Sequence, residues 1–452
     1  MLSSKSERAP AVAGSFYPAD PAQLAAAVDG YLGGCEIHAG PPKALVVPHA
    51  GYVYSGRSAG RAMAHLASIK AQIRRVVILA PNHKIPLKTI ALCSHNAFKT
   101  PLGAVPVDRA AMAAVLKLPF CEINDPAHAE EHAIEVMLPF LQRILDEFSI
   151  VPLIVGEVPP EQAHEILRTL WGGPETLIII SSDLSHFLPY DEAQRQDLHT
   201  ACAIEQLKGE AISRDGACGR HPLKGLIACA RKRDLRLTRL DLCNSGDTAG
   251  DKSRVVGYGA WALEYAASAR LPEGDRAILR HIAHRAVIEG AATGKPPQID
   301  LATAPTALHT LRATFTTIHV DGAFRGCRGY IVPARPLITD VADNAFKSAF
   351  DDPRVKPLNL DEARRAKIGI SILSHHRPIR CRSEAELRDL LSPDRDGLVL
   401  QDGDQRALFL PKVWEDLPDA REFVTRLKLK AGWSADYWSD SLQAFRFSAE
   451  YF

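Results

Sequence analysis

Three short apolar runs end in residues able to hold a metal ion or move a proton. They are Ala44-Leu-Val-Val-Pro-His49, Arg75-Val-Val-Ile-Leu-Ala-Pro-Asn-His83 and Thr176-Leu-Ile-Ile-Ile-Ser-Ser-Asp183-Leu-Ser-His186. A fourth stretch, Asp215-Gly-Ala-Cys218-Gly-Arg-His221-Pro222, adds a thiol close to a helix start marked by Pro222. His49, His83 and Cys218 form a candidate metal set, because two neutral imidazoles and a thiolate suit iron, copper or zinc and not magnesium or calcium. None of the three has the local spacing of a metal motif, and each taken singly also reads as a hydrogen-bonded structural residue. A thiol beside a basic residue and a helix N-terminus has a reason to be thiolate.

Asp183 and His186 are either further ligands or a carboxylate-oriented acid/base pair beside the metal. The simpler alternative is that Asp183 caps a following helical turn. Glu131 and His132 lie near the start of an amphipathic stretch, where the helix dipole alone favours a glutamate. Cys327, set between glycines and flanked by Arg325 and Arg328, is a reactive thiol in a basic setting or a site of close packing against another segment. His375-His376-Arg377 reads as a solvated loop.

The elements that must position these groups follow from patterning. Continuous β-branched runs belong to parallel sheets covered on both faces, where ligands sit beyond the carboxyl ends of the strands. The sequence predicts helices over 21–32, about 57–67 and 134–145, strands over 150–155 and 177–180 with a helix between them, and strands over 236–242 and 254–262. That alternation is α/β. A composition change between Ala266 and Gly274 divides the chain into domains 1–266 and 267–452. The second domain shows a helical face over 278–287, a linker over 294–305, a hairpin at Asp321-Gly322, a helix over 337–349 and a strand through Ile368, Ile370 and Ile372. A second hairpin around Asp402-Gly403 and a helix from Asp419 to Gly432 complete an α+β pattern.

Bulk properties exclude some classes. With 54 basic and 53 acidic residues the formal charge is +1, so bulk charge gives no reason to expect nonspecific attraction to nucleic acid or an anionic membrane. No stretch has the apolar length of a membrane helix, and the first residues lack a signal-peptide apolar region, so a cytoplasmic location is expected. The nine cysteines form no CxxC pair, which suits reduced thiols.

Residues from about Ala11 to Ala262 resemble the Memo family, known in microbes as AmmeMemoRadiSam system protein B. The matching motifs are Ala13-Gly-Ser-Phe-Tyr17, Pro48-His49-Ala-Gly-Tyr52, Pro81-Asn-His83, Glu131-His132-Ala-Ile134-Glu135, Ser181-Ser-Asp183-Leu-Ser-His186 and Cys218-Gly-Arg-His221-Pro222. Residues from about Leu271 to Phe452 resemble the AMMECR-type domain, protein A of that system. Its motifs are Phe324-Arg-Gly-Cys327-Arg-Gly329, Asp352-Pro-Arg354, Phe409-Leu-Pro411 and Lys430-Ala-Gly432, with Arg328 standing where an apolar residue is usual.

The resemblance implies a fold similar to class III non-haem iron extradiol dioxygenases. It also implies metal ligation by His49, His83 and Cys218, with Asp183, His186 and His132 lining the pocket, and a radical SAM protein as partner. This chain has no CxxxCxxC motif of its own. The first expectation is an iron-dependent redox enzyme in which Asp183 and His186 handle protons and His132 orients a bound substrate or oxygen. Copper and zinc are the alternative metals. Zinc-dependent hydrolysis and a non-catalytic metal-binding adaptor are the alternative functions.

Overall fold

The computed structural model describes residues 7–35, 37, 41–233, 235–248, 251–265, 270–374, 376–379 and 381–452. It divides into two compact units, Met1–Pro272 with Pro305–Thr310, and Glu273–Ala304 with Leu311–Phe452.

The first unit runs α1 (Pro21–Leu32), β1 (Ala44–Val47), α2 (Tyr52–Ala64), β2 (Arg75–Pro81), β3 (Ile90–Leu92), β4 (Ala97–Thr100), β5 (Gly103–Pro106), α3 (Arg109–Val115), β6 (Cys121–Ile123) and α4 (Asp125–Ala129). It continues with α5 (Leu138–Ile144), β7 (Ser149–Val155), α6 (Pro160–Leu170), β8 (Thr176–Ser181), β9 (His186–Leu188), α7 (Tyr190–Glu205), α8 (Arg220–Arg233), β10 (Leu235–Asn244) and β11 (Val255–Tyr265). The main sheet has the order β10-β11-β1-β8-β2-β7-β3-β6, with β9 paired to β11.

The central strands β1, β8, β2 and β7 are mutually parallel, whereas β11 and β10 on one side and β3 on the other run antiparallel to their inner neighbours. The sheet is therefore mixed, with the expected parallel layer at its centre. Every residue of β1 and β8 is buried, as a layer covered on both faces requires. Because β1, β2 and β8 are parallel neighbours, their carboxyl ends open on the same edge.

Several local expectations change. Helix α2 starts at Tyr52 and not near Arg57, so only Pro48-His49-Ala50-Gly51 separates strand from helix. Its glycines look like loop residues but serve packing. A Cβ on Gly60 would lie 2.3 Å from the Tyr31 carbonyl oxygen, and one on Gly56 2.8 Å from the Tyr31 ring. Helix α8 starts at Arg220, which puts His221 in its first turn and leaves only Cys218 in the preceding loop. The segment read as a helix over 134–145 is a 3₁₀ turn, Glu135–Met137, followed by α5 with Pro139 in its first turn. Glu131 and His132 thus precede the helix and owe nothing to its dipole.

The second unit contains α9 (Glu273–Thr293), β12 (Thr314–Val320), β13 (Ala323–Gly329), α10 (Leu337–Phe350), α11 (Leu360–Arg365), β14 (Lys367–Leu373), β15 (Arg377–Ile379) and α12 (Glu384–Leu390). It ends with β16 (Gly397–Asp402), β17 (Gln405–Phe409), α13 (Ala420–Lys430), β18 (Gln443–Phe447) and β19 (Ala449–Tyr451). Two smaller sheets, β13-β12-β14-β19 and β15-β18-β16-β17, carry it. The turn at Asp321-Gly322 has φ of 53° and 84°, the left-handed pair a two-residue hairpin needs.

The second hairpin turns one residue later than expected. Asp402 pairs with Gln405, so Gly403 and Asp404 form the turn and Gly403 takes the positive φ. Asp419 caps α13 through the Glu422 N–H, and Gly432 after the helix has φ 85°. His375 lies outside the described residues. His376 is no solvated loop residue: it packs against the Phe447 ring at 5.2 Å, and burial brings its pKa down to about 4. Arg377 opens β15, opposite Arg446. Among the described residues no helix is long and apolar enough to cross a membrane.

Candidate metal centre

His49 follows directly from the tip of β1 and is only 1% exposed. Its backbone N–H donates to Asp183 Oδ1 at 2.8 Å, and its Nδ1 lies 2.7 Å from Ser181 Oγ at the end of β8. The Ser181 hydroxyl donates its single hydrogen to the Ala133 carbonyl at 2.7 Å, so it must accept from His49 Nδ1–H. That assignment leaves the lone pair on His49 Nε2. Burial, with the His83 charge adding, holds the His49 pKa well below the usual imidazole value.

At the tip of β2, His83 donates its backbone N–H to Glu131 Oε2 at 2.7 Å and places Nδ1 3.0 Å from Glu131 Oε1. His132 Nδ1 is 3.3 Å from that same oxygen. Glu131, 2% exposed, also accepts the Ala133 N–H at 3.0 Å. Burial on its own would raise this carboxyl, but the His83 hydrogen bond and charge, the Ala133 N–H and His132 outweigh it and bring the pKa down to about 2. One carboxylate therefore orients two imidazoles, as carboxylates behind metal-bound histidines do.

The three rings form a cluster with centroid separations of 5.1, 5.5 and 5.0 Å. One ligand atom from each of His49, His83 and His132 lies within 4.8 Å of the other two. With their Nδ1 sides turned to Ser181 or Glu131, the Nε2 atoms are the ones offered to an ion. The donor chemistry fits a transition metal: three imidazoles, of which burial lowers the pKa of His49 and His132, the latter to about 4.

Cys218 approaches this cluster from the His49 side, with Sγ 3.4 Å from His49 Nε2. Its Sγ accepts the Asp183 N–H at 3.2 Å, and its own N–H donates to the Asp183 carbonyl at 3.2 Å. Burial pushes this thiol well up, and the Asp183 charge reinforces the effect. The neighbouring cation gives no relief, because the Arg220 guanidinium turns to Glu157, 2.5 and 2.6 Å from its oxygens.

Asp183 is no helix cap, since β9 and not a helix follows it. Burial raises its carboxyl, and the His49 N–H opposes that rise. His186 is exposed, and its Nδ1–H donates to the Leu184 carbonyl at 2.9 Å. Phe187 beside it has φ 59°, an uncommon backbone state for a bulky side chain. Behind this turn Asp197 of α7 accepts the Ser185 N–H at 2.9 Å.

Ser181 and Glu131 had gone unrecognised as orienting residues, and so had Glu135. Fully buried, Glu135 takes the Ala11 N–H at 2.7 Å, the Val12 N–H at 3.0 Å, the Tyr17 hydroxyl at 2.5 Å and the Arg8 guanidinium. It ties the stretch from Arg8 to Tyr17 to the stretch carrying His132. Within the Glu131-to-Glu135 motif the carboxylates are visible, but not their distant partners, His83 for Glu131 and Arg8, Ala11, Val12 and Tyr17 for Glu135.

In the second unit, Arg325 pairs with Glu362. Cys327 donates its N–H to Asp352 at 2.8 Å, receives the Thr317 hydroxyl on Sγ at 3.2 Å and has its carbonyl held by Arg354 at 2.9 Å. The glycine on its N-terminal side serves close packing. Gly326 has φ 142°, and a Cβ there would lie 2.0 Å from the Ser348 carbonyl oxygen.

A mixed-sheet α/β unit with three imidazoles gathered at its strand tips is the class that fold and site define. Residues 8–262 match the family described as Memo-like protein, and residues 280–452 match the AMMECR1 family. The chain belongs to the Memo-like protein family and carries an AMMECR1 domain behind the Memo domain. A MEMO1 family protein of Aquifex aeolicus is 38% identical over 264 residues, 56% of this chain and 97% of the relative. One of Sulfolobus acidocaldarius is 35% identical over 280 residues, with the same coverages of 56% and 97%. Among solved structures, an uncharacterised protein from Pyrococcus horikoshii aligns at 29% identity and a TM-score of 0.36, covering 38% of this chain and 88% of its own.

Proposed function

We propose that the Memo domain is a metal-dependent redox protein, similar in fold to class III extradiol dioxygenases, that uses iron. His49, His83 and His132 would hold the ion, with Cys218 as a further donor on the His49 side. Iron bound there would supply one-electron chemistry toward an oxidisable substrate.

The carrying observation is that Ser181 and Glu131 engage Nδ1 of His49 and His83, Glu131 lies 3.3 Å from Nδ1 of His132, and one ring nitrogen of each histidine lies within 4.8 Å of the other two. The sequence offers Cys218 as the third donor, and His132 joins the set because its ring clusters with those of His49 and His83. Asp183, whose carboxyl burial inclines to keep a proton, and His186 are the proton-handling pair. With Nδ1–H committed to the Leu184 carbonyl, His186 exchanges protons through Nε2. Burial of His49 keeps water from that side of the centre.

The test is anaerobic purification of the full chain, metal analysis, and oxygen consumption with candidate diphenols. Stoichiometric iron that is lost in His49→Ala and His83→Ala, together with substrate-dependent oxygen uptake, is the expected result. A set of neutral imidazoles also suits zinc, which favours zinc-dependent hydrolysis as the second reading. Zinc at full occupancy with no dependence on oxygen would favour it. Redox-active iron without turnover would point to a metal-binding adaptor. The partner in either case is the radical SAM protein implied by the resemblance, in the cytoplasm, and co-purification with such a protein checks it.

A further inference from the structure

Tyr258 is only 2% exposed, yet its hydroxyl makes no hydrogen bond among the described residues. Buried tyrosine hydroxyls ordinarily find a partner. The hydroxyl oxygen is not fully sealed, so part of the 2% exposure that Tyr258 retains is at that oxygen.

Strand register places the residue toward the edge of the sheet where the metal centre lies. β1 and β11 run antiparallel with Val46 opposite Trp261, so Tyr258 lies three residues beyond that pair, toward the edge at which β1 ends and His49 follows. On β11's other flank Leu184 donates its N–H to the Gly257 carbonyl, and Gly257 donates to the Ser185 carbonyl, so Tyr258 adjoins the Asp183–His186 turn. A Cβ on Gly257 would strike Asp197 of α7, and one on Gly259 would strike Leu184 and Trp261. Tyr258, of opposite parity, projects from the other face of β11. Across the strand pair Tyr258 lies opposite Cys243, and its phenol is within electrostatic range of Asp183, Cys243 and Tyr54, the last on the first turn of α2, directly after the His49 loop.

We propose that Tyr258 is a substrate-binding residue of the metal centre, donating its hydroxyl hydrogen to an anionic oxygen (a phenolate, enolate or carboxylate) of the bound substrate. The inference rests on the metal-centre reading and adds its substrate class. Burial first, then the Asp183 charge, pushes the phenol's pKa up, so the group stays a donor across the working pH range.

Tyr258→Phe tests this in two measurements on the full chain. In metal-free protein the variant should unfold at the same temperature as the parent or higher, because the lost hydroxyl satisfied nothing within the chain. A clear drop would show a structural hydroxyl and overturn the proposal. In cobalt-loaded protein, metal stoichiometry should be unchanged, while the Kd of acetohydroxamate, a small oxygen-donor probe followed by the visible spectrum, should rise roughly tenfold or more. An unchanged Kd, or no binding by the loaded parent protein, would also overturn it. Failure of the parent protein to take up metal would sink the metal-centre reading instead, and the unfolding comparison would still decide whether the hydroxyl is free for a ligand.

Discussion

Glu131 is the position at which orientation of the centre can be tested without touching a donor. Its Oε1 accepts from His83 Nδ1 and the Ala133 N–H, both at 3.0 Å, and lies 3.3 Å from His132 Nδ1, while its Oε2 accepts the His83 N–H at 2.7 Å. Glu131→Gln keeps the volume but has one acceptor where two are needed. With the amide oxygen at the Oε1 position, the NH₂ group faces the His83 N–H, donor against donor. Losing one charge-assisted bond in a buried site costs about 1.5–3 kcal/mol.

Carboxylates behind metal-bound histidines typically account for about 10–100-fold in metal affinity, which corresponds to about 1.4–2.7 kcal/mol. The two estimates agree in size, so metal affinity should fall by one to two orders of magnitude. Titration of cobalt or zinc against a competing chelator measures it, and thermal unfolding of the metal-free variant monitors the fold. A variant that binds metal as tightly as the parent would refute the idea that Glu131 orients His83 and His132 toward an ion.

Other expectations are as direct. If Cys218 is a donor, Cys218→Ser should lose much of its bound metal while the far-UV spectrum is unchanged, and full retention of metal would remove the thiol from the centre. Gly60→Ala should destabilise the first unit by about 1–3 kcal/mol, read as a lower Tm, because its Cβ would lie 2.3 Å from a backbone oxygen of α1. Burial raises the Asp197 pKa to about 6. Unfolding therefore releases its proton between about pH 4 and 6, and stability falls as pH rises through that window. Above it the penalty is full, about 3 kcal/mol at most, so Asp197→Asn should stabilise the protein at pH 7.5 and lose that advantage at pH 4. A constant difference between variant and parent across this range would show that Asp197 does not titrate as described.

What the sequence determined by itself was the set of strand tips. Short continuous runs rich in β-branched residues favour buried strands over helices, and β1, β2 and β8 begin and end within two residues of the expected bounds. Local turn chemistry was equally legible, at Asp321-Gly322 and at the Asp419 cap, because it depends on a few adjacent backbone angles. Helix starts at Tyr52 and Arg220 were less so: Gly56 and Gly60 mark contact with Tyr31, a neighbour absent from the local sequence.

Tertiary structure alone decided which groups meet. It brought His132 into ligand range of His49 and His83, turned Arg220 away from Cys218, and set Glu131 behind two rings at once. Strand propensity is a short-range property of side chains and backbone. Proton affinity and ligand geometry depend on burial and on charges brought together from distant segments, which no run of adjacent residues encodes.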